Sequence, residues 1–286
     1  MIRYALFLML MLTGAASAQT ALTMQLKDGK KVVAKMLRRT GDTIMATSPA
    51  VDGAAPLQGE VGYPIGQIEK IEFPEPAVLK SAAGLLASGN AAEALSQSES
   101  AFTYFAGFRD APGSYWSDLA LLRIGALAAL NRDADAEPIA RQVIEQTSNP
   151  ETARGAQAHL AGIASRRGEY EKAIGMCDQI LKEGNKPETM ATAAINKARS
   201  HQALKQWDSA VLAYLNIPVF YPEQKAYVPA YLLGSAQCYF ELSDLPRART
   251  ALNELIKTYP AAAEAATAKA ELDKITRREK ALEIVQ

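Results

Sequence analysis

Two cysteines and two histidines are few for 286 residues. Cys177, Cys238, His159 and His201 fall in no metal-ligand spacing, so neither a disulfide-stapled fold nor a thiolate or imidazole metal centre is implied. Gly-x-Ser-x-Gly, a phosphate-binding loop, His-Glu-x-x-His and a dinucleotide fingerprint are all missing, which leaves no motif for catalysis or for a cofactor. Neither sign of charge is in excess: Lys plus Arg and Asp plus Glu each number 31. Such balance gives no global attraction to nucleic acid or anionic membrane. Beyond the first 18 residues no apolar run approaches the ~18 residues of a spanning helix.

What is present begins with a separate N-terminal object. Arg3 precedes an apolar run from Tyr4 to Leu12, and Thr13 to Ala18 ends in Ala16-Ser17-Ala18. A charged start, a short apolar core and a small-x-small exit make a secretory signal peptide over 1–18, cleaved after Ala18. No cysteine stands at the exit to take a lipid. The expected mature chain is exported and periplasmic. In that oxidising setting Cys177 and Cys238 fall on different helices with a full repeat between, and read as small buried hydrophobes.

Residues 19–74 carry the period-2 pattern of half-buried strands. Leu22, Met24 and Leu26 alternate with polar residues, Asp28-Gly29 turns, Lys31 to Arg38 continues as a second strand, Gly41-Asp42 turns again and Thr43 to Thr47 resumes. A loop with Pro49, Gly53 and Pro56 follows, and Ile68 to Phe73 closes a module of about five short strands. The phrases LKDGKK at Leu26 to Lys31, Gly41-Asp42-Thr43, and Tyr63 to Phe73 resemble small SH3-like or Sm-like barrels at the N-termini of exported repeat proteins. Lys27, Lys30, Lys31, Lys35, Arg38 and Arg39 form a basic run that meets only Asp28. It would suit an anionic wall polymer, lipid headgroup or acidic partner. The plainer reading is a solvated edge, where lysines discourage sheet-to-sheet association.

Pro74 and Pro76 break the chain, and from Ala77 to about 283 the pattern is helical. Ala173, Ala210 and Ala248 recur 37 and 38 residues apart. Each has a core-type residue four later (Cys177, Tyr214, Leu252), an aliphatic one seven later (Ile180, Ile217, Leu255) and an alanine twelve earlier (Ala161, Ala198, Ala236). Tyr170, Trp207 and Leu245 stand three before, while Pro222 and Pro260 close the last two units. These spacings, close to the tetratricopeptide period of about 34, with small residues at facing positions, resemble the tetratricopeptide repeat family, most strongly from Ala161 to Pro260. The units around Ala94 and Ala136 depart from the phrase, with Ala91 and Asp133 where an aromatic is usual and Ser98 at a core place. Helix pairs are expected at about 77–106, 114–148, 154–186, 189–221 and 226–260, with a capping helix over about 261–283. The fold class is therefore mainly α, a tetratricopeptide-type solenoid of about five helix pairs behind a small antiparallel β-barrel.

The resemblance implies a protein or peptide partner held on the concave face by residues of the first helices. Carried over by register, these are Arg166, then Arg199 and Gln202, then Gln237, Phe240 and Glu241. Each could equally be an ordinary solvated helix residue. His159 and His201 read as helix-packing residues, and His159 has facing the groove as its alternative reading. Phe102, Tyr104, Phe105, Phe108, Tyr115 and Trp116 crowd one junction; they read as core before they read as a docking patch. The phrase LIKTYP at Leu255 to Pro260, with the Ala-rich helix after it, is similar to periplasmic repeat proteins of the Tol-Pal type and implies an envelope role. The expected function is thus a non-catalytic interaction scaffold in the bacterial envelope. An alternative makes the basic β domain a wall- or anionic-surface-binding module with the helices as spacer.

Overall fold

The structure is a computed structural model that describes residues 22–184 and 186–285; the signal peptide expected over 1–18 lies outside them. The chain divides into two compact units between Pro74 and Glu75.

In the first unit, β1 (Leu22–Leu26) pairs antiparallel with β2 (Lys31–Ala34) and with β7 (Ile68–Glu72), and β2 carries the short β5 (Ala50–Val51). A second sheet has the order β3 (Met36–Thr40), β4 (Thr43–Thr47), β6 (Glu60–Pro64). Alternation buries Met24, Val32, Ala34, Leu37, Ile44, Ala46, Ile68 and Ile71. The expected single strand from Lys31 to Arg38 is two strands in different sheets. Val32 and Ala34 are buried, then Lys35 and Met36 are both exposed before Leu37 is buried again. That one-residue slip changes which face points inward, so the chain leaves one sheet for the other there. β5 and β6 lie where the sequence reads as loop. Gly62 and Pro64 are poor strand formers, and pairing with β4 is what holds β6 extended.

Eleven α-helices make up the described part of the second unit. They form five pairs: α1 (Ala77–Ala87) with α2 (Ala91–Ala106), α3 (Trp116–Ala129) with α4 (Asp133–Gln146), and α5 (Pro150–Arg166) with α6 (Tyr170–Glu183). Next come α7 (Pro187–Ala203) with α8 (Trp207–Phe220), α9 (Val228–Glu241) with α10 (Leu245–Thr258), and the closing α11 (Glu264–Val285). Helix starts are set locally: the Asn149 side chain accepts from the Glu151 and Thr152 amides ahead of α5, and Asp244 accepts from the Arg247 amide ahead of α10.

The alanine register runs through all five pairs. Ala94, Ala136, Ala173, Ala210 and Ala248 are all fully buried, as are Ala82, Ile124, Ala161 and Ala198 twelve residues before the first four. The first two pairs keep it despite their altered phrases. Ser98 fits a core place because its hydroxyl donates to the Ala94 carbonyl at 2.8 Å, so burying it strands no polar group. The 107–115 connection, with Phe108 and Ala111 buried, lengthens that interval.

Every pair also turns the same way. Gly89, Asn131, Gly168, Lys205 and Ser243, each five residues before its register alanine, have φ of 84°, 57°, 83°, 58° and 64°. The amide after each left-handed residue reaches back to close the helix, as from Gln206 to the His201 carbonyl at 2.9 Å and from Asp244 to Tyr239 at 2.8 Å.

Candidate functional site

Each first helix packs on its own second helix and on the first helix of the next pair, so α1, α3, α5, α7, α9 and α11 form one inner row. Polar stitches join neighbours in that row. The Asn196 amide donates to the Ala158 carbonyl at 2.9 Å, Ser200 donates to Ser165 at 2.9 Å, and the Thr192 and Tyr227 hydroxyls are 2.6 Å apart. Gly162 makes the close approach possible: a Cβ there would stand 2.9 Å from the Asn196 amide nitrogen.

A cleft opens between α7, α9 and α11. Gln202, Gln237, Phe240 and Glu241 line it, with Trp207 from the start of α8 and Glu271 and Lys274 from α11. Its hydrogen bonds have a direction. Burial raises the Tyr214 pKa and keeps the phenol protonated, so its hydroxyl donates to Gln202 Oε1 at 2.7 Å. Gln202 Nε2 then donates to Gln237 Oε1 at 2.9 Å. The carbonyl end of Gln237 is thereby occupied, and its Nε2 donors have no partner among the described residues. Beside it, the Arg278 guanidinium lies 4.9 Å over the Phe240 ring and donates to the Ser243 hydroxyl at 3.0 Å, which fixes the ring. Glu271 and Lys274 pair with each other at 2.9 Å. The cleft therefore offers fixed amide donors, the acceptor oxygens of Glu241, and aromatic surface from Phe240 and Trp207. Donor, acceptor and apolar wall together are what a peptide backbone and its side chains require.

Residues 230–262 match the model of the tetratricopeptide repeat family. That stretch holds most of α9 and α10, including three cleft residues. Among solved structures, PlcR of Bacillus thuringiensis, in complex with the peptide PapR7 and DNA, is similar at 12% identity and a TM-score of 0.52, covering 72% of each chain. BtubC (BKLC) from P. vanneervenii is 16% identical with a TM-score of 0.40, over 73% of this chain and 93% of its own. No curated protein matches the sequence significantly.

The repeat register brings four of its six candidates to the cleft. Arg199 does not line it; exposed on α7, it makes no hydrogen bond or ion pair with the described residues, though its charge bears on the Tyr214 and Tyr227 phenols. Tyr227 is pushed up to about 12, by burial before any other cause. Arg166 is engaged elsewhere: its guanidinium grips Asp133 at the start of α4, with Nε 2.8 Å from Oδ2 and Nη2 2.5 Å from Oδ1. Trp207, Glu271 and Lys274 escape the sequence reading, the first because its register place signals packing, the others because α11 carries no repeat phrase.

The remaining candidates are dispersed. His159 is half-buried against Gly125, and burial, helped by the Arg166 charge, lowers its pKa to about 4. The His201 ring nitrogen Nδ1 lies 2.6 Å from Gln206 Oε1. Cys177 and Cys238 are free thiols in separate core clusters, both pushed up to about 12 by burial. Phe105, Phe108 and Trp116 of the aromatic group are buried, and Arg123 covers the Phe102 ring. In the β unit the basic run spreads over both sheets. Lys30 pairs with Asp28, Arg38 with Glu60 and Arg39 with Asp42, whereas Lys27, Lys31 and Lys35 are exposed. Among the described residues no group of three or more His, Cys, Asp or Glu is placed to hold a metal ion, and no helix is long and apolar enough to cross a membrane.

Proposed function

We propose that the helical unit is a non-catalytic scaffold that holds an extended segment of a partner protein in the α7–α9–α11 cleft. The observation that carries this is the Tyr214–Gln202–Gln237 chain of hydrogen bonds, which leaves the Gln237 amide donors without a partner among the described residues. Gln237 would donate to a backbone carbonyl, Glu241 would accept from a backbone amide, and Phe240 and Trp207 would cover apolar side chains. Arg199, exposed on α7 one turn before Gln202, would answer an acidic group on the ligand. The likeness to PlcR, whose structure contains a peptide, is in keeping with this reading. The N-terminal residues favour export, so the partner would belong to the periplasm or cell envelope, with the SH3-like or Sm-like β unit ahead of the scaffold. Surface binding through the basic run is the weaker reading, because Lys30, Arg38 and Arg39 are neutralised by neighbours.

A photo-crosslinking residue at position 240, compared with one at the exposed outer position 179, tests the scaffold in the native envelope. Crosslinks to a defined partner are expected from position 240 and not from 179. They should disappear when Arg199→Ala and Gln237→Ala are combined with the probe. Undiminished capture by that folded variant would remove the cleft from consideration.

A further inference from the structure

Tyr221 and Tyr259 end the second helices of the fourth and fifth pairs, and a proline follows each. Their backbones are nearly the same, φ −130°, ψ 47° and φ −126°, ψ 53°. The third pair has Gly184 at that place, so the arrangement arises only at this junction. Together with Tyr231 of α9 the two tyrosines rim a pocket walled by Ile217, Pro218, Pro222 and Val228. None of these residues belongs to the inner-row cleft.

The three tyrosine hydroxyls make no hydrogen bond with the described residues. Burial raises the pKa of Tyr221 and Tyr231, and Glu254 and Tyr259 add to the effect at Tyr231, so these phenols stay protonated and neutral. Lys225 and Glu254 complete the wall, and their charges cancel. The pocket therefore presents three O–H donors and an ammonium against one carboxylate, on an aromatic and prolyl surface. Its complement is an uncharged ligand rich in carbonyl acceptors, poor in N–H and flat-sided. A quaternary ammonium would suit the rings and Glu254 but would meet the Lys225 charge. A polyproline II segment fits each requirement: it makes no internal hydrogen bonds, its carbonyls are bare, and its rings lie against aromatic faces. We propose that this pocket binds a proline-rich segment of a partner protein in the polyproline II conformation, at a site separate from the inner-row cleft.

The test is calorimetric titration of the full chain with capped decaproline, a capped (Gly-Ser)5 peptide and choline. Saturable binding is expected for decaproline alone. Changing Tyr221, Tyr231 and Tyr259 together to Phe keeps the rings and removes the donors, and should weaken binding about tenfold. Tyr221→Ala with Tyr259→Ala should abolish it. Gln237→Ala with Phe240→Ala should leave it unchanged, which separates this site from the cleft. Failure of decaproline to bind, indifference to the triple Phe variant, or binding of choline instead would each overturn the proposal.

Discussion

The Tyr214 ring occupies the space that a side chain on Gly234 would fill. A Cβ at 234 would lie 2.2 Å from Tyr214 Cζ and 2.4 Å from its hydroxyl oxygen. This missing side chain lets a residue of the outer helix α8 pass α9 and reach Gln202 on the inner row, so the core packing and the orientation of the cleft amides are one arrangement. Gly234→Ala is expected to destabilise the protein by about 2 kcal/mol or more, since Tyr214 is buried and has nowhere to retreat. Urea unfolding measures it. Tyr214→Phe should not rescue the variant, because Cζ itself is in the way, whereas Tyr214→Ala should recover part of the loss as a coupling in the double-mutant cycle. Additive effects of the two alanines would refute the coupling.

Lys205 is the residue least suited to its place among the five inner turns. With φ 58° it adopts the left-handed conformation that its equivalents assign to glycine, asparagine or serine. Lys205 is exposed and forms no ion pair with the described residues, so its replacement gives up no charge contact. Lys205→Gly should therefore stabilise the unit by roughly 0.5–1 kcal/mol, seen as a higher urea midpoint with an unchanged slope. A lower midpoint would mean that the lysine stem packs in a way that outweighs the backbone strain.

The solenoid was legible because its signal is local and repeated. An alanine that must be small recurs at a fixed distance from residues that must be large, and each turn needs a left-handed residue five places earlier. The same register located Gln202, Gln237, Phe240 and Glu241. It could not place Trp207, Glu271 and Lys274 in the cleft, because which side of a cap helix faces a neighbour depends on packing at one end of the stack. Nor could it show that Asp133, out of place by pattern, is the partner of Arg166. In the β unit, the break at Lys35 lies in two successive exposed residues, and the apolar Met36 conceals it because alternation alone does not show which side chains the sheets leave outside. β6 had no sequence signal, since Gly62 is required by the Thr43 methyl, 2.8 Å from where its Cβ would be.

His159 gives the helical unit a pH dependence of definite sign. The folded pKa of about 4 lies below the ~6.5 of an unfolded histidine, so as pH falls the unfolded chain takes up the proton first. The stability that the neutral ring confers is intact above about pH 6.5 and is lost as pH falls from there toward 4. By pH 5 the loss should reach up to about 2 kcal/mol, less where the exposed edge of the ring admits water. His159→Phe, which keeps a ring against Gly125 without a titrating group, should flatten the difference in urea stability between pH 7.5 and pH 5. Parallel curves for the two proteins would show that the histidine is not the source.

Arg166 stands at a register place where a partner-binding role was expected, and its two-point grip on Asp133 gives it a structural one. Asp133 occupies the position that Tyr170, Trp207 and Leu245 fill in later pairs, so the ion pair joins α5 to α4 where the others use apolar contact. The side chains are only 31% and 20% exposed, and a fork-to-carboxylate geometry of this kind exceeds the usual worth of a surface pair. Arg166→Ala is expected to cost about 1 kcal/mol in urea unfolding. Asp133→Ala should cost a similar amount, and the double variant little more than either, because each single change already removes the whole interaction. Crosslinking from position 240 should be unaffected by Arg166→Ala, since neither the cleft residues nor their hydrogen bonds involve it. A variant of unchanged stability that fails to capture the partner would reverse the assignment and return Arg166 to the binding surface.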